Sequence, residues 1–317
     1  MMGVGVSTGC HATGAADIAA AAQLACLLEA SAPKPGNVSP GHHFADARYE
    51  DFLASATAIG EPLRTAATRS LGATIRLAID TTGHWTRSNT NLGIVLLLAP
   101  LVHAAIQVSQ SMAAHRTTQE PSWAVLRRAL RRVLETTTVD DARDVYAAIR
   151  RAAPGGLGRV KAQDLADEPT ITLLDVMRLA ADRDGIAREY TTAFEVTFER
   201  GAPALAAARR DGLPWDDAVV ETFLVLLASG PDSHVARRAG AAAAAEVSQW
   251  AAGALAAGGI RCPAGRLAIG EMDRKLRDAR NTTNPGTAAD LTTAAIFVVL
   301  LSGGWHSTQG GCGGEPR

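Results

Sequence analysis

Apolar residues recur along the chain in blocks of roughly ten to twenty positions, separated by polar, glycine and proline clusters. Alternating apolar and polar runs, the mark of half-buried strands, are scarce. Residues 15–30 form the first block, closed by the Pro33-Lys34-Pro35-Gly36 turn. Proline lacks a backbone N–H and biases the residue before it away from α geometry. Residues 49–59 follow, with Gly60 the expected C-cap, and Pro62 suits the first turn of a helix through Ile79. Residues 91–107 are apolar on most faces, which predicts a helix at the centre of the core. Basic, amphipathic 123–134 and then 140–152 precede a break at Pro154-Gly155-Gly156-Leu157-Gly158. Helices are predicted over 173–181 and 186–208, with Pro203 interrupting the second, and over 215–228. Asp232 is placed to cap a long alanine-rich helix through Ala257, and 263–277 and 286–301 complete the set.

The pattern predicts an all-α fold, a single bundle of about ten to twelve helices. Its domain runs over 16–302, between an N-terminal tail at 1–15 and a Gly-rich tail at 303–317. The polar loop 154–169 is the internal boundary if there are two subdomains. Composition agrees: alanine, the best helix former, dominates, and aromatic residues are only 4%.

Charge and cysteines narrow the function classes. Lys and Arg number 31 against 32 Asp and Glu, a net charge of −1, which argues against a nucleic-acid partner. A local basic pocket for phosphates is still compatible. Cys10, Cys26, Cys262 and Cys312 form no CxxC pair, so neither a zinc ribbon nor a redox motif is supported, and scattered thiols suit a reducing compartment. The longest apolar stretch, 92–106, contains Pro100 and His103 and falls short of the ~18 residues a membrane span needs. No basic segment leads into the first apolar block, and Asp17 precedes it. The expectation is a cytoplasmic chain with no membrane partner. Nothing in the sequence sets the oligomeric state.

The candidate chemistry lies in turns between helices, where a rigid scaffold usually presents binding groups. The Pro33–Val38 turn is stiff and presents Lys34, either to solvent or to a phosphate, and His43 and Asp46 follow closely. Ser88-Asn89-Thr90-Asn91 precedes the apolar helix, where Asn or Thr can cap the free N–H groups, or those groups can hold an anion. Asp182 and Asp184 can converge on Mg²⁺ only in a turn; an Asp184–Arg188 ion pair is the alternative. Asp232 is an N-cap in Pro231-Asp232-Ser233-His234, with Arg238 nearly two turns on. Asn284-Pro285-Gly286 starts the last helix; Gly286 permits close approach, and Asp290 either faces a cation or is solvated. Asp273 is a further carboxylate for that region.

Taken in order, Lys34-Pro35-Gly36, His43 and Asp46, Asn89, Asp232 and Arg238, and Pro285-Gly286-x-x-Ala289-Asp290-Leu291 resemble the triphosphoribosyl-dephospho-CoA synthase family over about residues 16–301. The resemblance implies an all-helical transferase that joins the ribosyl C1 of ATP to the 2′-hydroxyl of dephospho-CoA and releases adenine. It implies Asp46, Asp290 and His43 as catalytic groups, and Lys34, Gly36, Asn89, Arg238 and Gly286 as the nucleotide-binding set. Mg²⁺ on the triphosphate would be held by Asp182, Asp184 and Asp232. The chain departs from the family pattern at two places. Asn91-Leu92 stand where a His-Lys pair follows the turn, and the 184–189 segment replaces an Arg-Gly-Glu-Ala run. The variant resembles a branch found with one-carbon and methanopterin genes, which keeps open a phosphoribosyl-type transfer to another acceptor, or a nucleotide-binding protein without catalysis.

Overall fold

The computed structural model describes residues 14–114, 122–155, 162–278 and 280–305. The ends of both expected tails, Cys10, Cys312 and much of the 154–169 loop lie outside them. Among the described residues the regular structure is helical, with one isolated bridge between Ser39 and His42. In chain order the helices are α1 (Ala15–Ser31), α2 (Tyr49–Ala58), α3 (Gly60–Arg64), α4 (Leu71–Thr82), α5 (Leu92–Ala114), α6 (Trp123–Glu135), α7 (Val139–Ala152) and α8 (Leu173–Ala180). They continue as α9 (Gly185–Thr192), α10 (Ala202–Arg210), α11 (Trp215–Ala228), α12 (Ser233–Ala239), α13 (Ala241–Ala256), α14 (Pro263–Leu276) and α15 (Gly286–Leu301).

The all-α expectation holds, and three expected helices are each split in two. Gly60 is not a C-cap but the first residue of α3. Its lack of a side chain serves packing, since a Cβ there would meet the Gln23 amide of α1 at 2.5 Å. The 186–208 segment breaks at Ala193 and Phe194, both at positive φ, and not at Pro203, which sits in the first turn of α10. The chain restarts through a π-turn at Thr197–Gly201, whose free N–H groups are taken by buried Glu189: Val196 N and Thr197 N each donate at 2.9 Å. Gly240, at φ 94, separates α12 from α13.

α5 and α15 form the centre. Both are apolar on nearly every face, and α1, α11 and α9 pack around them. The hydrophobic core is continuous from Ile18 to Val299. α5 is longer than expected, 23 residues, and by length and composition alone it is long enough to cross a membrane. Its most apolar window is 78% buried inside the protein, as a core helix requires.

Pro100 lies inside α5 without ending it. A proline at this position cannot donate to the carbonyl four residues earlier, here that of Leu96. The Tyr190 hydroxyl of α9 donates to that carbonyl at 2.7 Å. The buried acceptor is satisfied, and α9 is fixed against α5 where the site begins.

Candidate active site

The starts of α5, α9, α12 and α15 meet at one hollow of about 740 Å³. Each helix start carries a partial positive charge, which favours an anion, although side-chain caps already take several of the N–H groups. Hydroxyl groups hold three of these starts in place. Gly185 N donates to Ser233 Oγ at 3.0 Å, Ser233 Oγ shares a hydrogen bond with Thr287 Oγ1 at 2.9 Å, and His234 N donates to Thr287 Oγ1 at 3.1 Å. Glycine at 185 allows the approach, since a Cβ there would meet Thr287 Cγ2 at 3.0 Å.

Asp290 lines the hollow from the second turn of α15. Its carboxyl has no hydrogen-bond partner among the described residues. Burial lifts its pKa well above the ordinary carboxylate range, and the charges of Glu29, Asp232 and Asp184 add to the lift, against a smaller opposite pull from Arg237. Gly93, in the first turn of α5, gives Asp290 room: a Cβ there would lie 2.6 Å from the carboxyl carbon. Glu29 lines the hollow beside it.

The expected nucleotide-binding residues divide. Asn89, Arg238 and Gly286 line the hollow. Asn89 Oδ1 accepts from Leu92 N at 3.1 Å, so it caps α5, and Arg238 Nη2 donates to the Arg280 carbonyl at 3.0 Å. Lys34 is corrected: it is not presented by its turn but buried behind the wall. Its ammonium lies 3.0 Å from Glu29 Oε1 and also donates to the carbonyls of Glu29 and Ala32. It is no phosphate clamp; it compensates the Glu29 charge. Gly36 also lies outside the lining. At φ 74 it packs against Leu276, and its N–H donates to Asp273 Oδ1 at 2.8 Å.

Of the expected catalytic residues, Asp46 joins Asp290 in the lining, from an exposed rim where its main-chain carbonyl accepts from Ser88 Oγ. His43 is exposed outside the lining, and its Nδ1 accepts from Tyr49 N at 3.2 Å at the start of α2.

The expected Mg²⁺ trio is not assembled. Asp182 is exposed outside the hollow. Asp184 lines it but caps α9, accepting from Ile186 N and Ala187 N at 3.0 Å, and pairs with Arg237 at 3.4 Å instead of Arg188. Asp232 is buried outside the lining as a shared cap. Its Oδ1 accepts from His234 N and Val235 N, and its Oδ2 from Ala288 N at 2.8 Å, which joins α12 to α15. No group of three or more metal-ligating side chains occurs among the described residues.

Several lining groups were not singled out from sequence. Arg183 stood between the two aspartates that drew attention and Arg237 beside Arg238, Arg87 and Arg280 lie in turns without a motif, and Glu29 sits within α1. Arg237 Nε also donates to the Gly155 carbonyl at 3.2 Å. Five arginines thus line a hollow entered by four helix starts. α7 and α8 contribute apolar lining that includes Val145, Ile149, Val176 and Met177.

A family model described as CitG, ATP:dephospho-CoA triphosphoribosyl transferase, matches residues 15–309. The chain belongs to this family. A Pseudomonas aeruginosa protein named as a 2-(5''-triphosphoribosyl)-3'-dephosphocoenzyme-A synthase is 36% identical to this CitG-family chain over 124 residues, 38% of this chain and 42% of that protein. A Klebsiella pneumoniae synthase of the same name is 32% identical over 119 residues, again 38% and 42%. The match spans about two fifths of the length of these curated relatives. A solved Archaeoglobus fulgidus structure, described as a triphosphoribosyl-dephospho-CoA synthase, superposes with a TM-score of 0.59 at 28% identity, covering 79% of this chain and 99% of that one. The all-helical fold is therefore the fold of the CitG family.

Proposed function

We propose that this CitG-family chain transfers the triphosphoribosyl group of ATP to the 2′-hydroxyl of dephospho-CoA and releases adenine. The observation that carries the reading is Asp290, a carboxyl with no hydrogen-bond partner among the described residues and with its proton affinity raised by burial, in a hollow that five arginines make attractive to a polyphosphate.

Breaking the bond between the ribosyl C1 and adenine N9 builds positive charge on the sugar and negative charge on the base. Asp290 gives its proton to the departing adenine, and Glu29, ion-paired to Lys34 from behind, supplies negative charge near the sugar. The two carboxyls take different roles because their surroundings differ. Arg87, Arg183, Arg237, Arg238 and Arg280 offset the triphosphate charge. Asp182, Asp184 and Asp232 do not fit a magnesium site, being either outside the hollow or engaged as helix caps. Mg²⁺ therefore enters this reading only as part of the nucleotide substrate, and no step is assigned to it.

A second acceptor is favoured by one observation. Asn91, standing in place of the family's histidine, is buried and donates to Thr82 Oγ1 at 3.0 Å, so its side chain is spent on the scaffold. A phosphoribosyl-type transfer to a one-carbon cofactor precursor would use the same acid.

The test is incubation with ATP, Mg²⁺ and dephospho-CoA, following free adenine and the mass of the adduct. Acceptor-dependent adenine is expected, reduced ~10²-fold or more in Asp290→Asn. Adenine released only with another acceptor selects the second reading. ATP bound without adenine release under any acceptor removes catalysis from both.

A further inference from the structure

We propose that Nε2 of His234 is the base that takes the proton of the acceptor hydroxyl, an assignment that rests on the transfer reading above. The sequence offers His234 only as the third residue of a capped helix start, and no role was expected of it.

His234 Nδ1 lies 2.9 Å from the main-chain carbonyl of Asn284. A carbonyl oxygen can only accept, so Nδ1 carries the hydrogen. In a neutral ring Nε2 must then hold a lone pair. Nε2 has no hydrogen-bond partner among the described residues, and the residue lines the hollow. The ring is therefore anchored at one nitrogen and available at the other. The same tautomer excludes the opposite role: a neutral ring whose only N–H is tied to Asn284 has no proton to give to adenine.

The seat of the ring is built for it. A Cβ at residue 286 would lie 2.8 Å from Nδ1 and 3.1 Å from Cγ, so glycine at the start of α15 makes space for the imidazole. The ring's own main chain is fixed by Asp232 Oδ1 and Thr287 Oγ1. Burial holds the ring neutral, helped by the nearby Arg237 and Arg238 charges and opposed by the Asn284 carbonyl and Asp232. Of the lining carboxylates other than Asp290, Glu29 is paired with Lys34, Asp184 caps α9 and pairs with Arg237, Asp164 accepts from Ala166 N, and Asp46 sits at the exposed rim, where water competes for it.

The step balances. The acceptor O–H breaks and its proton passes to Nε2, while the oxygen bonds to the ribosyl C1. The C1–N9 electron pair leaves with adenine, which takes the Asp290 proton. Imidazolium then returns its proton through solvent to the Asp290 carboxylate, restoring both groups.

His234→Asn is the informative variant, because the asparagine Nδ2 occupies the place of Nδ1 and keeps the bond to Asn284 while Nε2 is lost. Adenine release with saturating dephospho-CoA is expected to fall in kcat by ~10²–10⁴-fold, with ATP binding, read by calorimetry, retained. A kcat equal to wild type overturns the assignment and leaves the transfer reading standing. A wild-type protein inert towards dephospho-CoA and other acceptors refutes the transfer reading and takes the base with it. Wild-type protein carrying ¹⁵N-labelled histidine gives a check independent of any variant's folding. His234 should show a protonated Nδ1 and a bare Nε2, and the reverse tautomer would overturn the proposal.

Discussion

Gly93→Ala adds one carbon where the Asp290 carboxyl sits. The new Cβ would lie 1.9 Å from Asp290 Oδ2, 2.6 Å from its Cγ and 2.7 Å from Ile186 Cδ1. Non-bonded heavy atoms settle at about 3.5 Å, so the carboxyl must retreat by roughly 1–1.5 Å. Two effects on stability oppose one another. Alanine in place of glycine inside a helix gains about 1 kcal/mol, and overpacking a filled site costs about 1–3 kcal/mol. The net change is small for a core of this size, and the variant should fold. Catalysis has no such compensation, because a displacement of about 1 Å at a reacting group lowers the rate by ~10²-fold. Steady-state adenine release and a thermal melt, run side by side, separate the two effects. The expected result is a large fall in kcat with a small shift in Tm. A variant as active as wild type would mean that Asp290 does not work from this seat, and the acid assignment would fail.

Asp290→Asn should raise the melting temperature at pH 8 while lowering activity. The folded-state pKa of Asp290 is raised, so its stability contribution is full below the ordinary carboxylate value of 3.8 and lost as pH climbs through the folded value. The variant's advantage should therefore shrink as the melts move down towards pH 4, and an advantage independent of pH would contradict the shift. Lys34→Met leaves Glu29 buried without its partner and should destabilise the fold by about 3–5 kcal/mol, read by denaturant titration; a stable variant with weakened ATP binding would restore the phosphate-clamp role. Arg183→Ala should raise the KM for ATP by ~10-fold or more, as loss of a charge-assisted contact does, with an unchanged melt; an unaltered KM would exclude Arg183 from the triphosphate site.

Helix positions were legible wherever a cap or a proline marked them. Residues 215–228 and 286–301 were bounded correctly because Pro214 and Pro285 precede their starts. The breaks at Ala193 and Phe194 were not, since no glycine or proline marks these two positive-φ residues and the Glu189 carboxylate that receives the N–H groups of Val196 and Thr197 carries no turn signal. At the site, the turns containing Asp46, Asn89 and Asp290 converge as the motif order suggested. Lys34 and Asp232 misled for one reason. Each residue type suits a phosphate or a metal when solvated, and the sequence does not say that both are buried and already partnered. Glu29 and Arg280 were hidden because neither carries local punctuation.

The carbonyl left open by Pro100 restricts how the chain can vary. With Tyr190 present, a proline in the middle of α5 leaves no orphaned acceptor. Without that phenol it strands one at the heart of the bundle. The two positions therefore have an order of replacement. Restoring an N–H at 100 makes the phenol at 190 dispensable, whereas losing the phenol first passes through a weakened intermediate. Related chains are expected to exchange the pair in that order, and the register of α9 beside the hollow is inherited with it.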